Sequence, residues 1–207
     1  MSQAQHPGPA AWSGMEEALG YGEQLLRGDT VRLRASTDEE LTVLEHWWNE
    51  PAVAMFNARA VRPRPPGLRI DHLRTWVANE DGALGTGFSV ITLAGEEFAG
   101  HVGLFAADPK ERVATFGIAL GPPFWGRGLG TDATRLMVRY GFLELGLHRI
   151  ELRVWAFNER AVAAYASAGF QVEGRLREVV FHDGRWHDEL LMAQLDRDWH
   201  AGAGHPR

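Results

Sequence analysis

The sequence predicts an α+β fold, with a mostly antiparallel sheet of about seven strands flanked by about four helices. Three observations support this fold. Strand-like runs between residues 86 and 120 are separated by turns short enough for an antiparallel meander. A proline- and glycine-rich loop at 121–130 is followed at once by a helical pattern. Asp183-Gly184 lies between two β-rich runs, which is a strong hairpin signal.

Composition places the chain among packed globular proteins. It has 207 residues, of which 45% are hydrophobic and 23% charged, enough for one domain with short extensions. No run approaches the ~18 apolar residues of a membrane span, and the first residues do not form a secretory signal, so we expect a cytoplasmic protein without membrane partners. The absence of cysteine excludes disulfides, thiolate metal sites and an acyl-cysteine intermediate.

The net charge of −6 argues against a nucleic-acid partner, because nucleic-acid affinity depends on neutralising phosphates. An acidic chain suits a cationic acceptor such as an amine, although acidity is common in ordinary proteins. The histidines show no paired ligand spacing on one face, so no metal is expected.

The chain divides into three expected parts: an N-terminal extension at 1–28, one domain at 29–199 and a tail at 200–207. Within the extension, residues 1–14 are rich in Gly, Pro, Ala and Gln and predict a mobile arm. Met15 to Leu26 predicts a short helix, and Val31 with Leu33 marks the first strand.

Helices and strands then follow in order. Thr37 and Glu40 form a capping box for a helix that presents Leu41, Leu44 and Trp48 on one face and stops at Pro51. A second helix is predicted from Ile70 to near Asp81-Gly82. The later elements are predicted at these positions: strands at 86–93, 98–105 and 113–120, a helix from 129 to Gly146, a strand around Ile150–Val154, a helix capped by Asn158 and closed by Gly169, and strands at about 170–182 and 185–194.

The glycine loop predicts an anion site. A strand through Phe116 and Leu120 stops at Pro122-Pro123, and three alternate glycines lead directly into a helix. Glycines allow close backbone approach, and the free N–H groups of a helix N-terminus attract phosphate. The spacing GxGxG differs from the dinucleotide fingerprint GxGxxG, and Thr131-Asp132 replaces the Lys-Ser/Thr of a nucleotide P-loop. A merely tight strand-to-helix turn is the remaining alternative.

Three separated segments resemble the Gcn5-related N-acetyltransferases (GNAT), and more narrowly their RimJ/RimL-type branch of ribosomal-protein N-terminal enzymes. They are GIALGPPFWGRGLGTDA from Gly117, HRIELRVWAFNERAVAAYASAGF from His148 and VEGRLREVVFHDGRWHDELLMAQL from Val172. The resemblance covers about Thr30 to Trp199. It implies a GNAT fold in which splayed strands form an acetyl-CoA cleft, and an acetyl group transferred directly to a primary amine.

The resemblance also implies the residues that contact the cofactor. The strand Ile118-Ala119-Leu120 would pair with the pantetheine arm, and Asn158 would contact the cofactor while also capping its helix. The pyrophosphate would bind the backbone N–H groups of Gly126, Arg127, Gly128, Leu129, Gly130 and Thr131. Trp125 replaces the Arg or Gln common in the family, and either covers the cofactor or fills the core.

For catalysis, the resemblance implies that Tyr165 protonates the leaving thiolate, with a buried aromatic as the structural alternative. The base is less clear, because Thr115 stands where relatives often have Glu. Glu151 on the adjacent strand is the nearest acidic candidate, although strand alternation can also turn it toward solvent. Water relayed through Thr115 is the alternative, and His101 and His182 are further options.

The acceptor is expected to bind the early helices, the loop from Pro51 to Gly67 and the closing hairpin. Trp48, Phe56 and Arg59 are the substrate-binding candidates. Branch resemblance favours a protein or peptide α-amine, with a small amine such as an aminoglycoside or polyamine as the alternative. The unusual Thr115 also leaves open a family member that binds acyl-CoA without transferring it, and the sequence leaves a homodimer open.

Overall fold

A seven-stranded mixed sheet forms the centre of the protein, as the computed structural model shows for residues 12–80 and 85–202. The strand order is β1-β2-β3-β4-β5-β7-β6, and among the described strands only β4 and β5 run parallel. The strands are β1 Val31–Arg34, β2 Thr86–Thr92, β3 Phe98–Asp108, β4 Val113–Leu120, β5 Arg149–Trp155, β6 Gln171–His182 and β7 Arg185–Leu195. The predicted mixed, mostly antiparallel sheet is therefore confirmed.

Seven α-helices are described, compared with about four expected. They are α1 Met15–Leu25, α2 Asp38–Asn49, α3 Pro51–Asn57, α4 Ile70–Val77, α5 Leu129–Leu143, α6 Glu159–Ser167 and α7 Asp196–Gly202. Among the described residues, no helix is long and apolar enough to cross a bilayer, and no three acidic or histidine side chains are grouped to hold a metal ion.

The sequence patterns do not predict two of the helices, α3 and α7. Pro51 is expected to end a helix, but it is the first residue of α3, a position where the missing proline N–H costs little. The expected tail at 200–207 begins inside α7. Residues 1–11 of the predicted mobile arm at 1–14 lie outside the described residues, as does the expected helix end at Asp81-Gly82, and α4 itself ends at Val77.

Both predicted caps are present. The Thr37 hydroxyl accepts the N–H of Glu40 at 3.4 Å, and the Glu40 carboxylate accepts the N–H of Thr37 at 3.0 Å. The Asn158 side chain accepts the N–H of Ala161 at 3.3 Å and caps α6. These local signals were readable because each joins residues three apart in the chain.

Hydrophobic residues cover both faces of the sheet. One face carries the main core, in which Ala114, Phe116 and Ile150 meet Ala133 and Met137 of α5. On the opposite face, Ala119 packs against a smaller cluster that contains Leu41 and Leu44 of α2 and Leu73 of α4. The sheet is therefore a layer between α5 and the α2–α4 pair.

The parallel strands β4 and β5 separate along their length. They pair only from Val113–Arg149 to Thr115–Glu151 in the described structure, so Phe116–Leu120 and Leu152–Trp155 diverge. Each diverging strand keeps its outer partner, β3 for β4 and β7 for β5. The sheet thus opens into the splayed gap that the fold was expected to contain.

The first turn of α5 is tied to the first strand. Asp132 Oδ2 accepts hydrogen bonds from the Thr30 N–H at 2.7 Å, the Thr30 hydroxyl at 2.8 Å and the Val31 N–H at 3.0 Å. Gly28 passes so close that a β-carbon there would lie 2.6 Å from Asp132 Oδ1. These contacts fix where α5 begins relative to the sheet.

Candidate functional site

A cavity of ≈ 540 Å³ occupies the gap between β4 and β5 and reaches the start of α5. This volume lies within the ~300–1,000 Å³ usual for ligand sites. The predicted site residues that line it are Phe56, Ile118, Ala119, Leu120, Trp125, Gly126, Arg127, Gly128, Gly130, Thr131, Asn158 and Tyr165. Residues as far apart in sequence as Phe56 and Tyr165 are therefore brought into one cleft.

The glycine loop is shaped by left-handed backbone. Gly126 has φ +70° and Gly128 has φ +79°, conformations that disfavour any residue with a β-carbon. Apart from the glycine itself and its two chain neighbours, no described atom lies within 4 Å of where either β-carbon would be, so the loop faces open space. Backbone N–H groups at an open helix start are suited to an anion such as pyrophosphate.

The expected phosphate contacts differ along the loop. The Thr131 N–H donates to the Gly128 carbonyl at 3.1 Å within the first turn of α5, so it is already engaged. Leu129 has its side chain buried in the main core and does not line the cavity among the described residues. The contact that Leu129 can offer is therefore its backbone N–H.

Trp125 forms a wall of the cleft and does not fill the core. Its indole N–H donates to the Leu120 carbonyl at 2.7 Å, which fixes the ring beside the end of β4. Phe56 meets that ring edge-on at 6.1 Å, and the Arg160 guanidinium lies 4.2 Å from the ring centroid. The ring is half-buried and contacts the cavity, as expected of a side chain that covers a ligand.

Charge is unevenly distributed around the cavity. The lining includes the guanidinium groups of Arg127, Arg153 and Arg160. Among the described lining residues, Glu189 is the single carboxylate. Three arginines and a helix N-terminus favour a polyanionic ligand such as a nucleotide-bearing thioester.

Tyr165 lies on the core side of the cleft. Its ring packs edge-on against Phe116 at 5.8 Å and meets Phe170 at 6.2 Å. Burial raises the pKa of Tyr165 to about 12. The phenol therefore keeps its proton at neutral pH and can act as a hydrogen-bond donor or an acid.

Neither predicted base lines the cleft among the described residues. Thr115 is exposed and pairs with Glu151 where β4 and β5 still run side by side. The Glu151 carboxylate accepts from Arg149 Nε at 3.0 Å, and Arg149 also binds Glu173. Both carboxylates raise the pKa of Arg149, as expected for a shared ion pair. The splay begins one residue later, which leaves Thr115 and Glu151 outside the cavity.

The two alternative histidines also lie elsewhere. His101 is buried under α4 beside Phe105, and burial lowers its pKa to about 4. His182 is buried near Phe157, at 6.4 Å between ring centroids. Neither belongs to the described lining of the cavity.

The three residues expected to bind the acceptor occupy different parts of the structure. Phe56 lines the cavity, whereas Trp48 packs against Trp76 and Leu44 in the smaller core cluster. Arg59 lies beside the cavity, where Nη1 donates to the Val179 carbonyl at 3.1 Å. Its guanidinium is also 5.6 Å from the ring centroid of Trp155, which does line the cavity. Trp48 is therefore a core residue.

Several lining residues were not predicted from the sequence, among them Trp155, Arg160 and Glu189. A signal for Glu189 was present, since it shares a strand face with Leu191 and Ala193 and so interrupts an apolar stripe. Placing it in the cleft needs the pairing of Glu189 with Trp155 across β7 and β5, which sequence alone does not provide.

Comparison with known protein families identifies the family of this chain. Residues 30–171 match the acetyltransferase (GNAT) domain. The chain belongs to the GNAT family. It is therefore an N-acetyltransferase, and acetyl-CoA is its cosubstrate. The open glycine loop, the three arginines and the splayed strands fit that cosubstrate.

Individual relatives refine the comparison. A spermidine N(1)-acetyltransferase of Escherichia coli is 29% identical over 167 residues, which cover 81% of this chain and 81% of the relative. A spermidine N-acetyltransferase of Vibrio cholerae, solved with CoA and spermine, is 25% identical with a TM-score of 0.71 and covers 82% of this chain and 97% of that one. The Vibrio enzyme has also been solved as a dodecamer, with a TM-score of 0.68.

The ribosomal branch is supported more weakly. The Escherichia coli [ribosomal protein uS5]-alanine N-acetyltransferase is 31% identical, but over 117 residues that cover only 49% of this chain and 60% of the relative. The comparisons therefore favour the small-amine alternative over the protein or peptide α-amine that branch resemblance had suggested.

Proposed function

We propose that this protein acetylates a primary amine of a small, polyamine-like molecule. The observation that carries the proposal is a single cleft lined both by the glycine loop before α5 and by the aromatic residues Phe56 and Trp155. The loop offers backbone N–H groups and arginines for an anion, and the aromatic residues offer apolar surface for an acceptor. The spermidine acetyltransferase relatives support a small amine as that acceptor.

The cosubstrate is held mainly by backbone groups. Ile118 and Ala119 lie on the diverging part of β4, where the side facing β5 has no strand partner in the described structure. The Leu120 carbonyl already accepts the Trp125 indole N–H, so pantetheine pairing falls on the residues before it. Asn158 caps α6 and lines the cavity, so it can serve both purposes.

The chain's own groups support direct attack by the amine. Bound acetyl-CoA supplies a thioester carbonyl as the electrophile. Backbone N–H groups on the diverging part of β4 polarise that carbonyl, as in an oxyanion hole. Tyr165 keeps its proton at neutral pH because its pKa is raised to about 12, and it donates that proton toward the departing sulfur. Thr115 and Glu151 take no part in this scheme.

The test is an assay of thiol release from acetyl-CoA with a panel of acceptors: spermidine, spermine, an aminoglycoside and an alanine-initiated peptide. We expect the highest kcat/KM with a polyamine. Faster turnover of the peptide would return the assignment to the ribosomal branch. Acetyl-CoA binding without thiol release from any acceptor would favour a non-catalytic family member.

Two further expectations accompany this proposal. A homodimer or larger assembly is expected, supported by the dodecameric Vibrio relative, and light scattering of the purified protein measures it. A cytoplasmic location remains a prediction from the sequence, and fractionation of cells that express the chain tests it.

A further inference from the structure

Glu189 is an acidic side chain buried in an otherwise cationic cleft. It lies on β7 directly opposite Trp155 of β5, and only 3% of the residue is exposed. It also lines the cavity between the splayed strands. Burying a carboxylate is unfavourable unless a cation or hydrogen-bond donor accompanies it, so its surroundings decide what it does.

The protein itself provides only a loose partner for this carboxylate. Arg153 Nη1 lies 3.4 Å from Glu189 Oε2, at the outer limit of a hydrogen bond, and 60% of the Arg153 side chain is exposed. An exposed arginine at that distance contributes little, because solvent screens the pair. Within the described structure, Glu189 Oε1 accepts no hydrogen bond, and it remains available to a ligand.

An unused hydrogen-bond donor lies beside it. The Trp155 indole N–H is buried and has no acceptor among the described residues. The residue as a whole is 9% exposed and lines the same cavity. Buried donors are normally paired with protein or with water, so an unpaired donor on a cavity-lining residue is one that a water or a ligand atom can satisfy. Trp155 and Glu189 therefore offer one donor and one acceptor at neighbouring positions across β5 and β7.

The charges around the cavity divide into two roles. Arg127 lies in the phosphate-binding loop, and Arg160 covers Trp125, the wall beside that loop. Glu189 carries the opposite charge and lies beside Trp155, whose ring contacts Arg59 on the acceptor side. We infer that Glu189 binds the ammonium group of the acceptor and receives its proton. This inference rests on the proposed function, because it assigns a residue to the acceptor half of that site.

The proton balance is as follows. The ammonium gives one proton to a Glu189 oxygen, so nitrogen keeps the electron pair and the carboxylate becomes a carboxylic acid. A buried ion pair is neutralised more easily than one in water, because desolvation disfavours both charges. The nitrogen pair forms the bond to the acetyl carbon as the carbon–sulfur pair leaves on sulfur. Tyr165 gives its proton to that sulfur and regains one from the nitrogen, and Glu189 later releases its proton to water.

The experiment compares the wild-type chain with Glu189→Gln, which keeps size and hydrogen bonding but removes the charge. Asp188→Asn is the matched control, because its neighbouring carboxylate binds Arg175 at 2.6 Å and does not line this cavity among the described residues. Thiol release gives kcat/KM for spermidine, and calorimetry gives spermidine affinity with and without CoA. Acetyl-CoA affinity and melting temperature show whether each variant is folded.

We expect Glu189→Gln to lose at least about 100-fold in kcat/KM for spermidine, the range usual for acid–base groups, with acetyl-CoA affinity unchanged. A smaller loss in a wild type that turns over amines overturns the inference and leaves the proposed function standing. If the wild type binds spermidine without turning it over, and Glu189→Gln abolishes that binding, the proposed function falls and the ammonium site stands. Neither turnover nor spermidine binding by the wild type overturns both.

Discussion

The two halves of the cleft, one proposed to bind the cofactor and one proposed to bind the acceptor, are built in different ways. The cofactor half comes mainly from one continuous stretch, Phe116–Thr131, and depends on backbone conformation at Gly126 and Gly128. The acceptor half joins Phe56 and Trp155 with groups from β7, and is held by contacts such as Arg59 to Val179, 120 residues apart. Acceptor preference can therefore change through packing without a change in the backbone conformation of the glycine loop.

The largest expected effect is on the cofactor half. Gly128→Glu should weaken acetyl-CoA binding at least about 100-fold, because a carboxylate would face phosphate and a β-carbon is strained at φ +79°. Titration calorimetry measures the affinity. Gly146→Glu is the control, since Gly146 has φ +59° and open surroundings but follows the far end of α5. Unchanged affinity in Gly128→Glu would exclude the glycine loop as the phosphate site.

Tyr165→Phe should separate chemistry from binding. We expect kcat to fall about 100-fold, because the phenol proton is lost, with acetyl-CoA affinity nearly unchanged. Steady-state kinetics and calorimetry measure the two quantities. Tyr140→Phe removes a hydroxyl from a ring that packs against Phe88, away from the cavity lining, and serves as the control. An unaltered kcat in Tyr165→Phe would remove that residue from the mechanism.

A change outside the cleft, at a residue of α2 that supports the segment after α3, should leave cofactor binding unchanged. The buried Glu45 carboxylate accepts the N–H groups of Gly67 and Arg69, both at 2.7 Å, and so anchors the segment that follows α3. Glu45→Gln should raise the acceptor KM about ten-fold and cost about 2 kcal/mol of stability, because one N–H loses its acceptor. Kinetics and urea unfolding measure both, with the exposed Glu39→Gln as control. An equal loss of acetyl-CoA affinity would show that the two halves are coupled.

The smallest effect concerns stability at low pH. His101 is neutral when folded, because burial lowers its pKa from 6.5 to about 4. The unfolded chain binds a proton that the folded chain does not between those values. The free energy of unfolding therefore falls as pH drops through this range, by about 2 kcal/mol between pH 7.5 and 5, and the contribution is complete above 6.5. His101→Gln should remove that part of the pH dependence in urea titrations; an unchanged slope would contradict it.

The sequence predicted the strand, loop and helix around the three glycines well because their signals are consecutive. Strand alternation, the proline pair, the alternate glycines and the helix start all lie within a short stretch, and Asn158 caps the helix that carries Tyr165. The splay itself was expected only through family resemblance. It depends on where β4 and β5 stop pairing, a tertiary property.

The acceptor half was less predictable for a physical reason. Trp48 shares a helical face with Leu41 and Leu44, and this periodicity indicates a core position. Its aromatic side chain alone had suggested a role in substrate binding. Glu151 and Glu189 are both acidic residues in strands, and the sequence does not show which of them lines the cavity. The difference depends on the register of strand pairing. Glu151 pairs with Thr115 before the splay, whereas Glu189 pairs with Trp155 beyond it.

The hydrogen bonds of Asp132 determine how far this chain can be shortened from its N-terminus and still function. Thr30 and Val31 supply every hydrogen bond that this carboxylate accepts among the described residues. A fragment that starts at Arg32 would leave a negative charge without hydrogen-bond donors in the first turn of α5, close to the loop proposed to bind phosphate. Shortening the protein from its N-terminus should therefore impair cosubstrate capture a hundred residues downstream, well before the sheet itself is lost.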